Sequence, residues 1–349
     1  AETAKWSKEG RLQAEFIVEG KDQTRGWFYS LLSCGMVLNN ESPYKAVLMH
    51  GFFVDEKGEK MSKSVGNFMP LDDILSKYGA DSFRLWGLSA TVWDDLRFST
   101  REMDESRRCL DIFMNLGVWL SRFYKKPPRP LDENLLEAED RWLRSRATGL
   151  VEKVTHSFEH YEPHEGLYAL KEFLIEDVSR FYLKRLKQRI SSGERHPDAG
   201  LSVLHDCLLT AVQLLHPYTP FVAEHLYLTV FKGERKEESI SFLPWPKANP
   251  AWRDPLLEVQ MTHARAALNA AANARARANL KLRWPAEHVC VASESTATLT
   301  ACERLSDLIA AMANVRHTKL GAPPSTFDVS LDKTKIGAKH KGESPQVLA

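Results

Sequence analysis

Apolar and polar positions along the chain fall into two regimes. Up to about residue 100 the apolar runs are short and bounded by turn residues. Glu15-Phe16-Ile17-Val18-Glu19 reads as a strand that stops at Gly20. After Lys21 to Tyr29, an apolar stretch to about Leu38 predicts a helix, with Asp22 or Thr24 as its cap. Residues 46–54 predict a second apolar strand. Strand, helix, strand is a βαβ unit of a parallel sheet, and functional loops in such sheets lie at the carboxyl ends of the strands. Glu19-Gly20-Lys21-Asp22-Gln23 and His50-Gly51 both stand at such an end.

Short elements follow: a helix from Leu71 to Tyr78 stopped by Gly79, then a mixed apolar run from Asp81 to Leu88. From about Arg101 the period lengthens, and amphipathic helices are predicted over 101–123, 138–159, 163–191 and 198–230. Lys125-Lys126-Pro127-Pro128-Arg129-Pro130 reads as a linker, and Pro217, Pro220, Pro244 and Pro246 punctuate the later helices. A further Ala/Arg-rich helix covers 253–278, followed by a strand at Val289-Cys290-Val291. The Pro/Lys/Gly-rich end from Gly321 onward is expected to be loosely ordered. The pattern is an α/β segment followed by a mainly α-helical bundle, divided near 1–100, 101–250 and 251–349.

Composition narrows this picture. With 349 residues, 43% hydrophobic and 27% charged, the chain has the make-up of a globular protein of two or three domains. Its net charge of +1 gives no global positive field, so any nucleic-acid surface must be local. Cys34, Cys109, Cys207, Cys290 and Cys302 are scattered without a CxxC pair. They suit neither a disulfide framework nor a zinc knuckle, which points to a reducing, cytoplasmic setting. No apolar run reads as long enough to span a membrane, and no signal peptide is visible. The chain enters a buried-looking strand within a few residues of Ala1, as a piece of a longer polypeptide would.

Lys60-Met61-Ser62-Lys63-Ser64 is the most telling motif. Glycines bound this loop on both sides, and its two ammonium groups can meet a polyphosphate. Preorganised cations there stabilise the charge that develops when pyrophosphate leaves ATP. Read alone, the same five residues are equally a solvated turn. Glu19, Asp22 and Gln23 can hold an ammonium group and ribose hydroxyls, or can simply start a helix. Trp27 is a core aromatic or the wall of a small apolar pocket. His50 beside Gly51 is a structural histidine or a residue against a ligand. Arg180, Lys184 and Lys187 share a helical face, and five positive charges lie between Arg180 and Arg189. With Phe181 or Tyr182 to stack on a base, this is an RNA-binding candidate, the alternative being a solvated basic face. Arg275, Arg277, Lys281 and Arg283 form a weaker second patch.

Taken together these residues resemble the class I aminoacyl-tRNA synthetases, specifically the isoleucyl family. KMSKS followed by Gly66-Asn67 is similar to the class signature, and Glu19 to Tyr29 resembles the family's EGxDQxRGWF segment. Tyr78 to Leu85 is similar to its YGADxxRL stretch, and Glu176 to Tyr182 to its DxSRxY helix. His216 to Phe221 with Glu224 resembles its PxTPFxxE segment. Asn279 to Pro285 and Asn314-Val315 resemble shorter motifs. The resemblance covers about residues 11–320.

It implies half of a Rossmann-type catalytic domain followed by an anticodon-binding bundle. It further implies that Glu19, Gly20, Asp22 and Gln23 contact an aminoacyl-adenylate, that Trp27 shapes the isoleucine pocket, and that His50 lies against the ATP or adenylate. Lys60 and Lys63, with Met61, Ser62 and Ser64 in the same loop, would act on the phosphates. Arg180 to Arg189 would face tRNA(Ile). ATP with Mg2+ and isoleucine are the implied substrates; from the residues themselves no protein-bound metal and no membrane partner are expected, and nothing suggests more than a monomer.

The chain departs from the family in carrying no HIGH signature and no editing domain. His50-Gly51-Phe52-Phe53 does not replace HIGH, because it directly precedes KMSKS. The expectation is therefore a ligase fragment with little activity alone. Its rivals are a stand-alone tRNA-binding module with a vestigial catalytic half, and another ATP-dependent ligase sharing only the loop. The Glu19 to Tyr29 segment disfavours the last.

Overall fold

The computed structural model describes residues 5, 10, 12–61, 67, 70–124, 132–193, 196–233 and 235–321. They group into two compact units, residues 1–258 and 259–349. The linker expected at Lys125–Pro130 and the tail after Gly321 lie outside the described residues.

In the first unit, strand β1 (Ala14–Gly20) and strand β2 (Tyr44–His50) are parallel neighbours. A 3-10 turn (Lys21–Arg25) and helix α1 (Trp27–Asn39) connect them, as the pattern predicts. The register sets Phe16 against Ala46, Val18 against Leu48 and Gly20 against His50, so both strands end side by side. The start of α1 differs from expectation, because neither Asp22 nor Thr24 caps it. Gly26 takes the cap position, and the Gln23 side-chain oxygen accepts the Trp27 N–H at 2.9 Å. Asp22 instead accepts from Gln23 Nε2 at 3.0 Å, and Thr24 donates to the Lys21 carbonyl at 2.9 Å.

The run predicted as one strand from 46 to 54 breaks at Gly51. Strand β3 (Phe53–Val54) leaves β2 and pairs with strand β4 (Leu96–Arg97). Crowding explains why glycine stands at the break: a Cβ there would lie 2.0 Å from the Asp94 carbonyl oxygen. Helices α2 (Leu71–Tyr78) and α3 (Ala80–Gly87) meet at Gly79, whose φ of 81° suits glycine. Together with the start of helix α4 (Thr100–Phe123) they bury Ile74, Tyr78, Trp86, Phe98 and Met103.

The bundle continues with α5 (Ala138–Glu159), α6 (Pro163–Glu172), a π-helical stretch (Phe173–Tyr182) and α7 (Leu183–Ser192). The predicted helix over 163–191 is present, but its middle is wound wider, and the Leu183 N–H bonds back to the Val178 carbonyl. The helix predicted over 198–230 is cut into α8 (Pro197–Leu215) and α9 (Pro220–Leu226), which runs on as a π turn (Tyr227–Phe231). The cut falls at Pro217 and Pro220, where backbone donors are missing. One turn of α3 serves both ends of the cut. Arg84 donates to the Tyr218 and Pro217 carbonyls at 2.9 and 2.8 Å, and Asp81 accepts the Val222 N–H at 2.6 Å. Contrary to the reading of the sequence, α8 is long and apolar enough to cross a membrane by length and composition alone. Its apolar surface goes into the bundle, where 78% of that window is buried.

Two arginines expected to face RNA are core residues instead. Arg185 and Arg189 are buried, as are Phe181 and Tyr182. Arg189 Nη1 lies 2.8 and 2.9 Å from the two oxygens of buried Asp140, and Nη2 donates to the His196 carbonyl at 3.0 Å. Tyr182 Oη donates to Asp140 at 2.6 Å and lies 2.9 Å from the Gly200 carbonyl. Arg185 donates to Glu139 at 3.0 Å. Burial pushes the Glu139 carboxyl up, with neighbouring Asp140 adding to this and Arg185 opposing it.

The second unit holds most of helix α10 (Pro255–Arg277), then strand β5 (Ala286–Ala292), helices α11 (Thr296–Arg304) and α12 (Ser306–Ala313), and strand β6 (Val315–Gly321), parallel to β5. Arg275, placed by the sequence in a basic patch, is a staple within this unit. It donates to the Trp284 and Asn314 carbonyls, each at 2.9 Å.

Removing one partner of a buried ion pair leaves the other charge uncompensated. Arg189→Ala is expected to lower the unfolding free energy by about 3–5 kcal/mol. Replacing both partners with apolar groups, Asp140→Leu with Arg189→Met, should recover much of that loss. Urea unfolding followed by circular dichroism measures both, and a loss below about 1 kcal/mol for Arg189→Ala would contradict the assignment.

Candidate functional site

The carboxyl ends of β1 and β2 form one edge. Gly20 stands opposite His50, and a Cβ on Gly20 would lie 2.6 Å from Asp22 Oδ1 and 3.6 Å from the His50 ring. Asp22 therefore packs against the buried Gly20 backbone, in space that a side chain at this position would fill. Asp22 and Gln23 hold each other through their side chains, so their polar groups are oriented before anything binds. Glu19 points to the opposite face of the strand from Gly20 and is exposed. His50 Nδ1 lies 2.8 Å from the Gly51 carbonyl. A carbonyl only accepts, so Nδ1–H is the donor here, and the tautomer with that proton leaves Nε2 as an acceptor. Trp27, the expected pocket wall, is 45% exposed and touches Phe28.

Two ammonium groups converge beside this edge. Lys21 Nζ lies 4.8 Å and Lys60 Nζ 5.2 Å from the centre of the Phe52 ring. Lys21 also pairs with Asp95 at 2.6 Å, and Asp95 accepts the Phe52 N–H at 2.7 Å. Lys60 enters its loop through an antiparallel bridge to Val54. Asn67 closes the loop from the far side, donating to Asp55 at 2.9 Å and to the Lys60 carbonyl at 3.3 Å. Asp55 also accepts the Lys57 and Glu59 N–H groups at 3.0 and 2.8 Å. Met61 packs on the Ile74, Tyr78 and Trp86 cluster, which fixes the first turn of the loop to the core. Ser62, Lys63 and Ser64 lie outside the described residues. Among the described residues no three His, Cys, Asp or Glu side chains come together as metal ligands do.

The basic helix presents a second candidate surface. Arg180, Lys184 and Lys187 are all exposed, as their spacing predicts, and Arg180 is paired with Glu176. The expected stacking partners are buried, but another aromatic takes their place. Lys187 Nζ lies 5.6 Å over the ring of Trp119, which is itself stacked on Phe123 at 4.6 Å. Around them is a cavity of about 370 Å3, with Asn115, Trp119, Arg122, Ser179, Leu183 and Lys187 among its walls. Trp119 and Arg122 were missed in the sequence because they sit on a different helix, α4. Their signal was an aromatic and a basic residue three apart near a helix end.

Comparison with known proteins fits this arrangement. Residues 2–99 match the family of tRNA synthetases class I (I, L, M and V), and residues 140–291 match the anticodon-binding domain of tRNA ligase. Isoleucine–tRNA ligase of Methanopyrus kandleri is 40% identical over 98% of this chain, and that of Methanosarcina barkeri 37% identical over 96%. The chain spans about a third (33%) of the length of these curated relatives. Among solved structures, the LeuRS–tRNA–LeuAMS ternary complex of Agrobacterium radiobacter K84 shares the fold over 69% of this chain and 29% of its own, with a TM-score of 0.54 and 21% identity. Methionyl-tRNA synthetase of Mycobacterium tuberculosis, in complex with methionyl-adenylate, matches over 61% of this chain and 43% of its own, with a TM-score of 0.50 and 23% identity. The chain is a homologue of the isoleucine–tRNA ligases, with class I synthetase sequence at its start and a tRNA-ligase anticodon-binding domain in its helical part.

The two carboxylates that brace the site titrate low. The Asn67 side chain, then the Glu59 N–H, holds the Asp55 carboxyl below the usual range, and Lys21, then the Phe52 N–H, does the same for Asp95. A lowered folded-state value means that each brace is fully present above the ordinary carboxylate pKa and is lost as pH falls through the lowered one. NMR titration of the Asn67 side-chain amide and the Phe52 N–H should therefore give midpoints below the ordinary aspartate value. Midpoints at or above that value would show that the carboxylates do not hold these groups.

Proposed function

We propose that this chain works as part of an isoleucine–tRNA ligase. In this reading residues 1–100 are the KMSKS-bearing half of a Rossmann-type catalytic domain, 101–250 bind tRNA(Ile), and 251–349 form a small α/β extension. The observation that carries it is the convergence at one edge of Gly20, His50, the Asp22–Gln23 pair and the Lys21 and Lys60 ammonium groups.

Isoleucine reacts with ATP, taken up as its magnesium complex. A carboxylate oxygen of the amino acid attacks the α-phosphorus, and the bond to the bridging oxygen of pyrophosphate breaks. Negative charge accumulates on the leaving group, and Lys60 with Lys63 of the same loop stabilises it more in the transition state than in the ground state. In this reading Glu19, Gly20, Asp22 and Gln23 contact the adenylate. Trp27 bounds the isoleucine side chain. His50, with Nδ1–H committed to the Gly51 carbonyl, offers Nε2 to the nucleotide. The tRNA then takes the aminoacyl group at its 3′ end, while its anticodon side lies on the Arg180, Lys184 and Lys187 face. The Trp119 groove supplies a stacking wall there. Cysteine usage favours a cytoplasmic setting, and the chain is taken as monomeric.

The strand pair weighs against the second reading, a tRNA-binding module with a vestigial catalytic half. Phe16, Val18, Val47 and Met49 of the strand pair are 38–46% exposed, so the sheet offers apolar surface that further polypeptide would cover, as in a part of a larger catalytic domain. Either way this chain alone is expected to show isoleucine-dependent ATP–pyrophosphate exchange near background while still binding tRNA. Robust exchange by the chain alone would contradict the division of labour. ATP binding, measured by equilibrium dialysis, separates the two readings: its complete absence favours the module.

The RNA face carries its own test. Arg180→Ala with Lys184→Ala should weaken tRNA binding and flatten its salt dependence, removing roughly 0.7–0.9 from the log–log slope for each lost phosphate contact. Filter binding from low to moderate salt measures it. An unchanged slope would return this face to plain solvation.

A further inference from the structure

Helix α5 ends in a Schellman-type cap. The Tyr161 N–H bonds to the Phe158 carbonyl at 3.2 Å, and the Glu162 N–H to the Ser157 carbonyl at 2.8 Å. This cap places the residue after the helix in the left-handed region, and Tyr161 has a φ of 59°. Glycine is what the backbone favours there. A tyrosine at such a position needs a reason in its side chain, and the ring supplies one. It lies flat on Phe16 of β1, with centroids 4.6 Å apart and planes 7° from parallel. Phe16 shares its face of the strand pair with Val18, Gly20 and, across the register, His50.

The same turn makes a second contact. His164, at the start of α6, meets Trp93 edge to face at 5.7 Å. Trp93 belongs to the loop that braces the strand ends. In that loop the Val92 carbonyl accepts the Gly51 N–H at 3.1 Å, and Asp95 holds both the Phe52 N–H and Lys21. One bundle turn thus grips the first strand and the loop behind the second.

We propose that the Tyr161–His164 turn is a positioning clamp for the aminoacyl-adenylate edge. Tyr161 and His164 are positioning residues: they touch neither substrate nor reacting atoms, and they act by holding β1 and the 91–95 loop in register against the helical bundle. The clamp rests on the reading of the strand ends as the adenylate site.

Amide hydrogen exchange on the full chain tests it. Tyr161→Gly relieves the left-handed backbone while removing the ring, whereas Tyr161→Phe keeps the ring. Tyr161→Gly should speed exchange across residues 17–27 on the order of tenfold, with α5 and α6 unchanged. Tyr161→Phe should match the parent. Phe16→Leu, approaching the stack from the strand side, should give the pattern of Tyr161→Gly. Parent-like exchange in Tyr161→Gly, or equal loosening of α5 and α6, would make the residue a helix cap only and overturn the clamp. In the ligase that contains this chain, Tyr161→Gly should lower kcat for pyrophosphate exchange about tenfold with KM for ATP nearly unchanged, and Tyr161→Phe should restore it. A loss confined to KM, or no rescue by Tyr161→Phe, also overturns it. A parent ligase whose exchange ignores amino acid would instead refute the adenylate reading and leave the hydrogen-exchange result standing.

Discussion

The first unit depends on how one turn of α3 meets the break between α8 and α9. Proline at 217 and 220 ends one helix and begins the next, which leaves carbonyls unpaired on one side and N–H groups on the other. Arg84 takes the carbonyls of Pro217 and Tyr218, and Asp81, three residues earlier, takes the Val222 N–H. Each charge also sits at the helix end whose dipole favours it. The gain is partly offset, because burial pushes the Asp81 carboxyl up despite the N–H groups of Val222 and Phe221. What the contact secures is position. α3 also carries Trp86, which shares a core with Met61 at the mouth of the KMSKS loop. The loop is therefore referenced to the α8–α9 break through one helix of eight residues.

A second constraint acts inside the bundle. Asp140, Arg189 and Tyr182 tie α5 to α7 and, through the His196 and Gly200 carbonyls, to the start of α8. Gly200 belongs to this arrangement, since a Cβ there would lie 3.0 Å from Arg189 Nη1. Such a cluster contributes little net stability over an apolar core of equal volume. Its effect is to make other registers of α7 against α5 costly, because any shift strands a buried charge. Holding that register keeps Arg180, Lys184 and Lys187 together on the outer face.

The parallel strand pair was legible because alternation, turn residues and length all agreed over residues 14–50. The break at Gly51 was not, because its cause is the backbone of Asp94, more than forty residues away. The cap of α1 was misread for a related reason: Asp22 and Thr24 have capping side chains, yet Gln23 reaches the Trp27 N–H. The basic helix was half read. The arithmetic that groups Arg180, Lys184 and Lys187 also groups Tyr182, Arg185, Leu186 and Arg189 on the opposite face. Two arginines on an apolar face signal buried carboxylate partners, and Glu139-Asp140 sat unassigned in the sequence. Trp119 and Arg122 carried only the spacing of an aromatic and a basic residue three apart, because the groove they line lies between helices far apart in sequence.

Helix α4 joins these parts physically. Near its start Met103 enters the core that anchors the KMSKS loop, and Glu102 accepts the Trp86 indole N–H at 2.9 Å. Near its end Trp119 and Arg122 form the wall of the groove beside Lys187. A rise of about 1.5 Å per residue puts roughly 24 Å between Met103 and Trp119. Between them Gly117 lets α9 come close, since a Cβ there would lie 2.5 Å from Leu226. α4 is thus met closely at Gly117 by α9, one of the two helices that Arg84 and Asp81 join. A helix so packed has little freedom to bend, so the separation between loop and groove is set by helix geometry rather than by a linker. Among the described residues the strand pair meets the bundle at the Phe16–Tyr161 stack, and that is where small changes in side chain can tell on the strand ends without unfolding their support.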